Sequence, residues 1–564
     1  MNTNASPAIP TTWAEQTFAP LGNPVFRRIW IAGSVSWIGG MIQSTSAAWL
    51  MTSMTDSPLL VALVQTAATL PFVLLAPLAG ALADIYDRRM LMLIGNSVCA
   101  LAVLILGLLT LQGLTTPWVL LALTAVLGGG TIIAMPAWQA SVLEIISRDK
   151  LTAAISLNSL SFNLARCIGP ALGAEIIIIA GVAISFLTNA LTYLAMIAAL
   201  LAWKRPKTIS TLPAQSMAQA VTDGFRFAWQ SPAISRLIGK GFLFSFCASA
   251  VLAMPPLLAV ELDAGARGLG FMLGGFGVGA MAGSLMLSWV RTKLSGERIV
   301  LFAAIMLSVT IGVLALSNAL WLSTLALALS GSAWIPALST LQVEVQMSCP
   351  KWVAGRTISV FSMAFALGIG AGAAMLGWIA SISSVSWAVT ASCLAMLLVA
   401  ATSVRMRFAQ PSADELQVSP VVESFVMPDI DPRSGPVLVT FEYRVPPENT
   451  PAFRQAMQAL GRIRRRDGVR TWRLSQNIDD PELWAETFQS PSWRDYIHRT
   501  SRRLVADEPY HAAVMACVTG EVVRRRRVSR ALQDPDLRAP DLGTWDKTET
   551  TPTGPLDWNA SLPS

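Results

Sequence analysis

Twelve apolar runs, each close to the length of a bilayer crossing, restrict what this chain can fold into. A span needs about 20 predominantly apolar residues. Such runs fall at roughly 27–51, 58–83, 90–112, 117–143, 152–180, 182–203, 237–261, 268–291, 297–317, 319–346, 355–381 and 384–405. A mean hydropathy of +0.53 with 13% charged residues lies outside the soluble globular range, so the chain reads as a polytopic membrane protein. The first 25 residues carry one charge, Glu15, and lack the basic-then-apolar order of a cleavable signal, so the first span is expected to lead insertion. Cysteines 99, 167, 247, 349, 393 and 517 show no ligand spacing and read as packing residues, which leaves no metal site.

Lysine and arginine orient the spans. With the N-terminus inside, the cytoplasmic segments hold Arg27, Arg28, Arg88, Arg89, Arg148, Lys150, Lys204, Arg205, Lys207, Arg226, Arg236, Lys240, Arg291, Lys293, Arg298, Lys351, Arg356, Arg405 and Arg407, and the outer loops hold only Arg267. The polar segment from Lys204 to Ser235 divides the spans into two sixes. The halves echo each other at an offset near 200: Pro136-Ala137 in span 4 against Pro336-Ala337 in span 10, and Gly80 in span 2 against Gly283 in span 8. Two related six-helix halves are what an alternating-access carrier requires. Shared composition of membrane helices is the competing account of the echo.

Gly80 to Arg89, GALADIYDRR, sets two carboxylates and two arginines in a hinge between apolar runs. Asp84 falls where the dipole of its own helix repels an anion, so it needs an outside partner such as an arginine or another helix's N-terminus. Gly80, Leu82, Ala83, Asp84, Arg88 and Arg89 resemble the signature loop between helices 2 and 3 of the major facilitator superfamily, with Asp87 where many members have glycine. Gly169, Pro170 and Gly173 on span 5 resemble the Gly-Pro motif associated with its exporters; tight packing is the equal alternative. The resemblance implies an all-α polytopic membrane protein with the twelve-helix major facilitator fold in two six-helix halves, and Asp84 as a latch facing the N-terminus of span 11.

Ionisable residues inside spans are costly and functional by default. Arg166, mid-span, is either a cavity charge for an anionic group of a cargo or a structural arginine bonded to carbonyls of a neighbouring helix. Glu175, the only acid well inside a span, is the expected proton-coupling residue if desolvation acts on it, with the outer mouth as its other placement. Glu144 and Glu344, at corresponding ends of spans 4 and 10 beside Arg148/Lys150 and Lys351/Arg356, read as gate pairs or as solvated surface acids. Gln43, Trp138, Gln139 and Trp334, with Trp37, Trp49 and Gln342, are amphipathic residues on spans 1, 4 and 10, which line the cavity in this superfamily and suit a bulky, partly polar cargo.

Beyond Arg407 the chain turns soluble. An alternating strand Val437-Val439-Phe441-Tyr443, a helix carrying Phe453, Met457 and Leu460, strands at 471–475 and 483–488, a helix with Trp493 and Ile497 and an apolar strand at 513–518 give βαββαβ, a small α+β ferredoxin-like C-terminal domain. Phe441-Glu442-Tyr443-Arg444-Val445, Arg464-Arg465-Arg466-Asp467-Gly468, Trp472, Glu486-Thr487-Phe488, Ser492-Trp493, His498 and Asp507 resemble an antibiotic-biosynthesis-monooxygenase-like domain. With it, the whole chain resembles the transmembrane secretion effector, enterobactin-exporter-like branch of the superfamily. The boundaries are 1–24, a terminal tail; 25–203 and 237–407, the halves; 204–236 and 408–434, linkers; 435–525, the ferredoxin-like domain; and 526–564, a disordered end. The run Arg524–Arg527 is a solvated basic stretch or a lipid contact. The expectation is an exporter of a small organic molecule, siderophore- or drug-like, from the bacterial inner membrane with both termini cytoplasmic, proton-coupled, and no enzyme. A tail that modifies the cargo and a carrier that does not export are the alternatives. Partners are the small-molecule substrate and the lipid bilayer, with no nucleic acid and no cofactor; a homodimer through the C-terminal domain is open.

Overall fold

In the computed structural model of the chain, residues 17–204, 217–350, 353–405, 434–469, 471–500 and 504–528 are described. Two compact units divide it: residues 1–421 with 458–468 and 502–513, and residues 422–457, 469–501 and 514–564.

The first unit is built of long helices: α1 Pro24–Met54, α2 Pro58–Ile85, α3 Arg88–Leu111, α4 Pro117–Ile145, α5 Leu151–Ala180 and α6 Val182–Leu201. A shorter α7, Met217–Gln230, precedes α8, which runs over Pro232–Glu261. Then come α9 Gly265–Lys293, α10 Gly296–Leu316, α11 Leu320–Met347, α12 Ala354–Ile382 and α13 Val385–Arg405. Among the described residues, eleven helices are long and apolar enough to cross a membrane, and α1, at 31 residues, is as long but more polar. This is a multi-pass membrane protein.

Helix ends are set locally. The Asn23 side chain accepts from the backbone of Val25 and Phe26 to cap α1, and its amide donates to the Ile145 carbonyl at the end of α4. Gly181, at φ 85°, turns α5 into α6 in a single residue, a backbone conformation that favours glycine. Whereas one continuous span was expected at 237–261, α8 is three pieces, Pro232–Ala248, Ala250–Ala253 and Pro255–Glu261. The Pro255-Pro256 pair supplies no N–H for the preceding turn, which breaks the ladder there.

In one half α1 packs on α5 and α6, and α4 on α2 and α3; in the other α11 packs on α9 and α10, and α12 on α8. The halves meet along two seams, α2 on α12 and α5 on α9. Lipid provides no hydrophobic drive between helices, so packing rests on small residues that let backbones touch. A Cβ on Gly169 would meet Met41 of α1, and one on Gly173 would lie 3.1 Å from the Ile42 Cα. About 200 residues on, Gly368 and Gly372 of α12 lie in the same way against α8. Both Gly-x3-Gly pairs therefore bind a helix of their own half, and neighbouring residues on the same two helices make the seams.

The C-terminal sheet has strands β1 Val437–Arg444, β2 Arg473–Gln476, β3 Leu483–Ser490 and β4 Val523–Val528, in the order β2-β3-β1-β4 with every pairing antiparallel. Val437, Val439, Val469, Phe488, Trp493 and Tyr496 form its core. Glu486 is fully buried between two donors, the Tyr443 hydroxyl at 2.8 Å and the Trp472 indole at 2.8 Å. The remaining helices are α14 Thr450–Arg466, α15 Trp493–Thr500 and α16 Glu508–Met515. The expected strand at 513–518 is not formed: its first residues end α16, and the last strand is the arginine run at 523–528. An apolar run this short fits a helix as well as a strand. Residues 526–528 of the expected disordered end are therefore strand, and 529–564 lie outside the described residues.

At the end of α14 the Arg466 guanidinium forks onto Asp507 at 2.7 and 3.1 Å and reaches Asp467 at 2.9 Å. Burial raises the Asp467 carboxyl from its ordinary value against the pull of Arg466. Removing one partner of a buried pair strands the other, so Asp507→Ala should destabilise this region by about 3 kcal/mol, read as faster amide exchange over 450–469 in the full-length protein. In the membrane unit, a Cβ on Gly279 would strike the Ala328 carbonyl of α11, whereas one on Gly40 of α1 meets nothing within 4 Å. Gly279→Val should lower the melting temperature by several degrees, an overpacking cost of about 1–3 kcal/mol, and Gly40→Ala should leave it unchanged or higher.

Candidate functional site

Three clusters bear on function, one at each end of the helix bundle and one between. The helix ends that carry Arg88, Arg89, Lys150, Lys204, Arg291, Lys293, Arg298 and Arg356 define a basic end.

At that end, Asp87 caps α3 by accepting from the Met90 N–H at 3.0 Å. The departure from glycine in the hinge is thus a helix cap. Arg88 donates to Glu144 at 2.7 Å and to the Ala140 carbonyl at 3.0 Å, which ties α3 to the end of α4. Glu144 therefore pairs with an arginine 56 residues away; the Arg148 side chain expected beside it lies outside the described residues. Arg89 donates to the Leu200 and Leu201 carbonyls at 2.8 and 3.0 Å and caps α6, with a cation at the negative end of the dipole. In the other half Glu344 is 8% exposed, and its carboxylate would be struck by a Cβ on Gly296, the first residue of α10. Each half therefore sets an acid from α4 or α11 at the first turn of α3 or α10, where the dipole favours an anion. Gly80 meets no neighbour within 4 Å, and the Asp84 side chain lies outside the described residues, as does the latch expected of it.

The seams close toward the opposite end. On one, the Thr66 hydroxyl donates to the Gly370 carbonyl at 2.7 Å, and a Cβ on Gly377 would lie 2.5 Å from that of Ala62. On the other, a Cβ on Gly270 would lie 2.6 Å from that of Ala174 and 3.2 Å from the Pro170 carbonyl, while one on Gly277 would strike the Arg166 carbonyl. The last piece of α8 packs on α1 and α2 of the other half. On these same two helices a bidentate ion pair spans the halves: Arg267 donates to both carboxylate oxygens of Glu175, at 2.7 and 2.9 Å. Glu175, 43% exposed, is paired with Arg267 across the seam in this arrangement. Gly169, Pro170 and Gly173 likewise serve packing on both sides of α5.

Between the ends, Arg166 points its guanidinium over the Phe162 ring at 4.9 Å, and Phe162 meets Trp37 of α1 edge-on at 5.7 Å. Arg166 Nη1 is buried with no hydrogen-bond partner among the described residues. The other expected lining residues differ. Trp334 is 4% exposed inside a cage of Phe244, Phe276 and Phe365, and Gln43 is 2% exposed with its amide oxygen unpartnered. Trp138 stacks on Phe26, and Gln139 is exposed. In the C-terminal unit, Trp493 is buried against Tyr496 and Trp484 against Phe453, while the His498 side chain lies outside the described residues. No group of metal-ligating residues is present among the described residues. What the sequence did not disclose was Phe162 beneath Arg166 and the pairing of Glu175 with Arg267, which was read only as an outer-loop cation.

The family model for transmembrane secretion effectors matches residues 15–534. The chain belongs to that family. Among its relatives, the enterobactin exporter EntS of Citrobacter koseri is 25% identical over 360 residues, covering 63% of this chain and 85% of the relative. That of Shigella boydii serotype 4 is 25% identical over 382 residues, covering 67% and 90%. The fold matches a bacterial homologue of the human lysosomal transporter Spinster, with TM-score 0.55 at 11% identity over 70% of this chain and 97% of that one. It also matches a bacterial homologue of the iron transporter ferroportin, with TM-score 0.53 at 14% identity over 68% and 98%. This transmembrane secretion effector is thus a transporter of the major facilitator type, similar to enterobactin exporters.

If the Glu175–Arg267 pair holds the seam shut, Glu175→Arg should open it and Glu175→Arg with Arg267→Glu should close it again. The measurement is maleimide labelling of Ala174→Cys, which faces Gly270 on the same seam, in a background without other reactive cysteines. Exposed pairs are weak, so roughly threefold faster labelling in the single variant is expected, with the wild-type rate regained in the double one.

Proposed function

We propose that this protein exports a small organic molecule, siderophore- or drug-like, across the bacterial inner membrane by alternating access, coupled to protons. The observation that carries the reading is the pair of seams: α2 on α12 and α5 on α9 are related contacts between two halves, closed by glycines and one ion pair toward the end opposite the basic one. The family and its enterobactin-exporting relatives support the direction and the cargo class. With α1 counted, there are twelve spans; the positive-inside rule makes the basic end and both termini cytoplasmic, so the closed end is periplasmic and the cavity faces the cytosol. Cargo enters from inside, the seams part, and Glu175 loses Arg267 as they do. An acid freed in that step is a place where an external proton can bind, which gives Glu175 a role in coupling that depends on the open state. Asp84, Arg88, Glu144 and Glu344 would then act at the cytoplasmic gate, and Gln43, Trp138, Gln139 and Trp334 would contact cargo only after the halves rearrange.

The C-terminal domain is read here as ferredoxin-like, on the strand order β2-β3-β1-β4, and as a self-association or control module of the transporter.

The test is uptake of a panel of siderophores and dyes into inverted membrane vesicles, with and without an imposed proton gradient. Gradient-driven uptake of at least one compound is expected, reduced tenfold or more by Gly277→Val, whose side chain would hold α9 off α5. Flat traces for every compound with inserted, folded protein would sink the export reading.

A further inference from the structure

Arg166 carries a charge that the fold leaves unanswered. Its guanidinium makes no hydrogen bond to any described residue, no described carboxylate pairs with it, and Nη1 is shielded from solvent. A buried cation is ordinarily tolerated only with a hydrogen-bonded counter-charge. The Phe162 ring under one face supplies part of that compensation, since a ring quadrupole attracts a cation. It leaves the fork of N–H donors at the guanidinium edge unused. That edge matches a planar oxyanion taken in bidentate fashion.

The surroundings define the rest of the ligand. Trp37 stands edge-on to Phe162, so an aromatic wall from α1 lies beside the cation. One turn to either side of Trp37, Gly33 and Gly40 meet nothing within 4 Å, which leaves room along that face of α1. α1 and α5 run side by side in a register fixed by the contacts of Gly169 with Met41 and Gly173 with Ile42. About two turns toward the basic end, some 12 Å along α5 at 1.5 Å per residue, two more buried polar atoms lack partners. These are the Asn158 amide oxygen, an acceptor, and the Trp30 indole N–H, a donor. On the other side the Arg166 backbone touches the position of Gly277 in the opposite half, so the residue stands at the seam itself.

We propose that Arg166, Phe162 and Trp37 form a binding site for an aromatic carboxylate or an equivalent planar aromatic oxyanion, with Asn158 and Trp30 receiving a hydrogen-bonding group at its far end. This rests on the export reading only in making the ligand the cargo; binding itself does not require transport. Because the cation sits where the halves meet, the same ligand would be felt by α1, α5 and α9 together.

The test uses the full-length protein in lipid nanodiscs and three probes with one ring system: naphthalene-2-carboxylate, the neutral 2-naphthamide and the cationic 2-naphthamidine, titrated by calorimetry. The carboxylate is expected to bind at least tenfold more tightly than the amide, with the amidine weakest. Arg166→Gln should bring the carboxylate down to the amide's affinity, Arg166→Lys should fall between, and Phe162→Leu should weaken it several-fold. Without ligand, Arg166→Gln should melt at or above the wild-type temperature, because it removes an uncompensated charge. Equal binding of the three probes, no binding of the carboxylate to the wild type, an anion preference that survives Arg166→Gln, or a fall in melting temperature for that variant would each overturn the site. Charge-selective binding by a protein that moves nothing into vesicles keeps the site and removes the export reading; export unchanged by Arg166→Gln keeps the export reading and overturns the assignment of the bound ligand as cargo.

Discussion

Backbone contact between helices, made where glycine or a carbonyl replaces a side chain, is the interaction on which the membrane unit depends. Water does not drive helices together within lipid, and what remains is dispersion between close surfaces and the few hydrogen bonds that proximity allows. Gly270 and Gly277 on α9 and Gly370 and Gly377 on α12 bring the two halves into such contact, with Thr66 adding a hydrogen bond. A contact of this kind is strong when fully made and weak when slightly parted. That steepness suits a seam that opens and closes, and it places Arg166 and the Glu175–Arg267 pair where parting has the largest effect on their surroundings.

The basic end follows a different logic. There, charges and helix termini are matched within each half: Arg88 with Glu144, Arg89 with the end of α6, and Glu344 with the start of α10. These contacts make each half stiff without tying it to the other. Rigid halves joined by separable seams are the mechanical requirement of alternating access.

Much of this was legible in the chain. Spans read from apolar runs fall within a few residues of the observed helices, because a hydrophobic stretch bounded by proline, glycine or charge specifies both length and ends. The two-half organisation was legible from Pro136 and Pro336, and the Gly169/Gly173 and Gly368/Gly372 pairs extend it. What could not be read was partnership across the chain. Glu175 looked like an isolated acid because Arg267 is 92 residues away, and Trp334 looked like a lining residue because its cage comes from three other helices. The final strand was misplaced because the run 513–518 has strand-like composition, whereas the arginines at 524–527 reach β4 by pairing with β1. Arg166 stands out in the sequence because a cation inside an apolar span is visible there, but that no described carboxylate pairs with it is a fact of packing.

Arg89 has a consequence for how the protein is made. By holding the last carbonyls of α6, a residue at the start of the third helix closes the first half on itself. Everything that half needs lies within the first two hundred or so residues, upstream of α8. A first half closed by its own contacts can assemble in the bilayer before the second half has emerged from the ribosome.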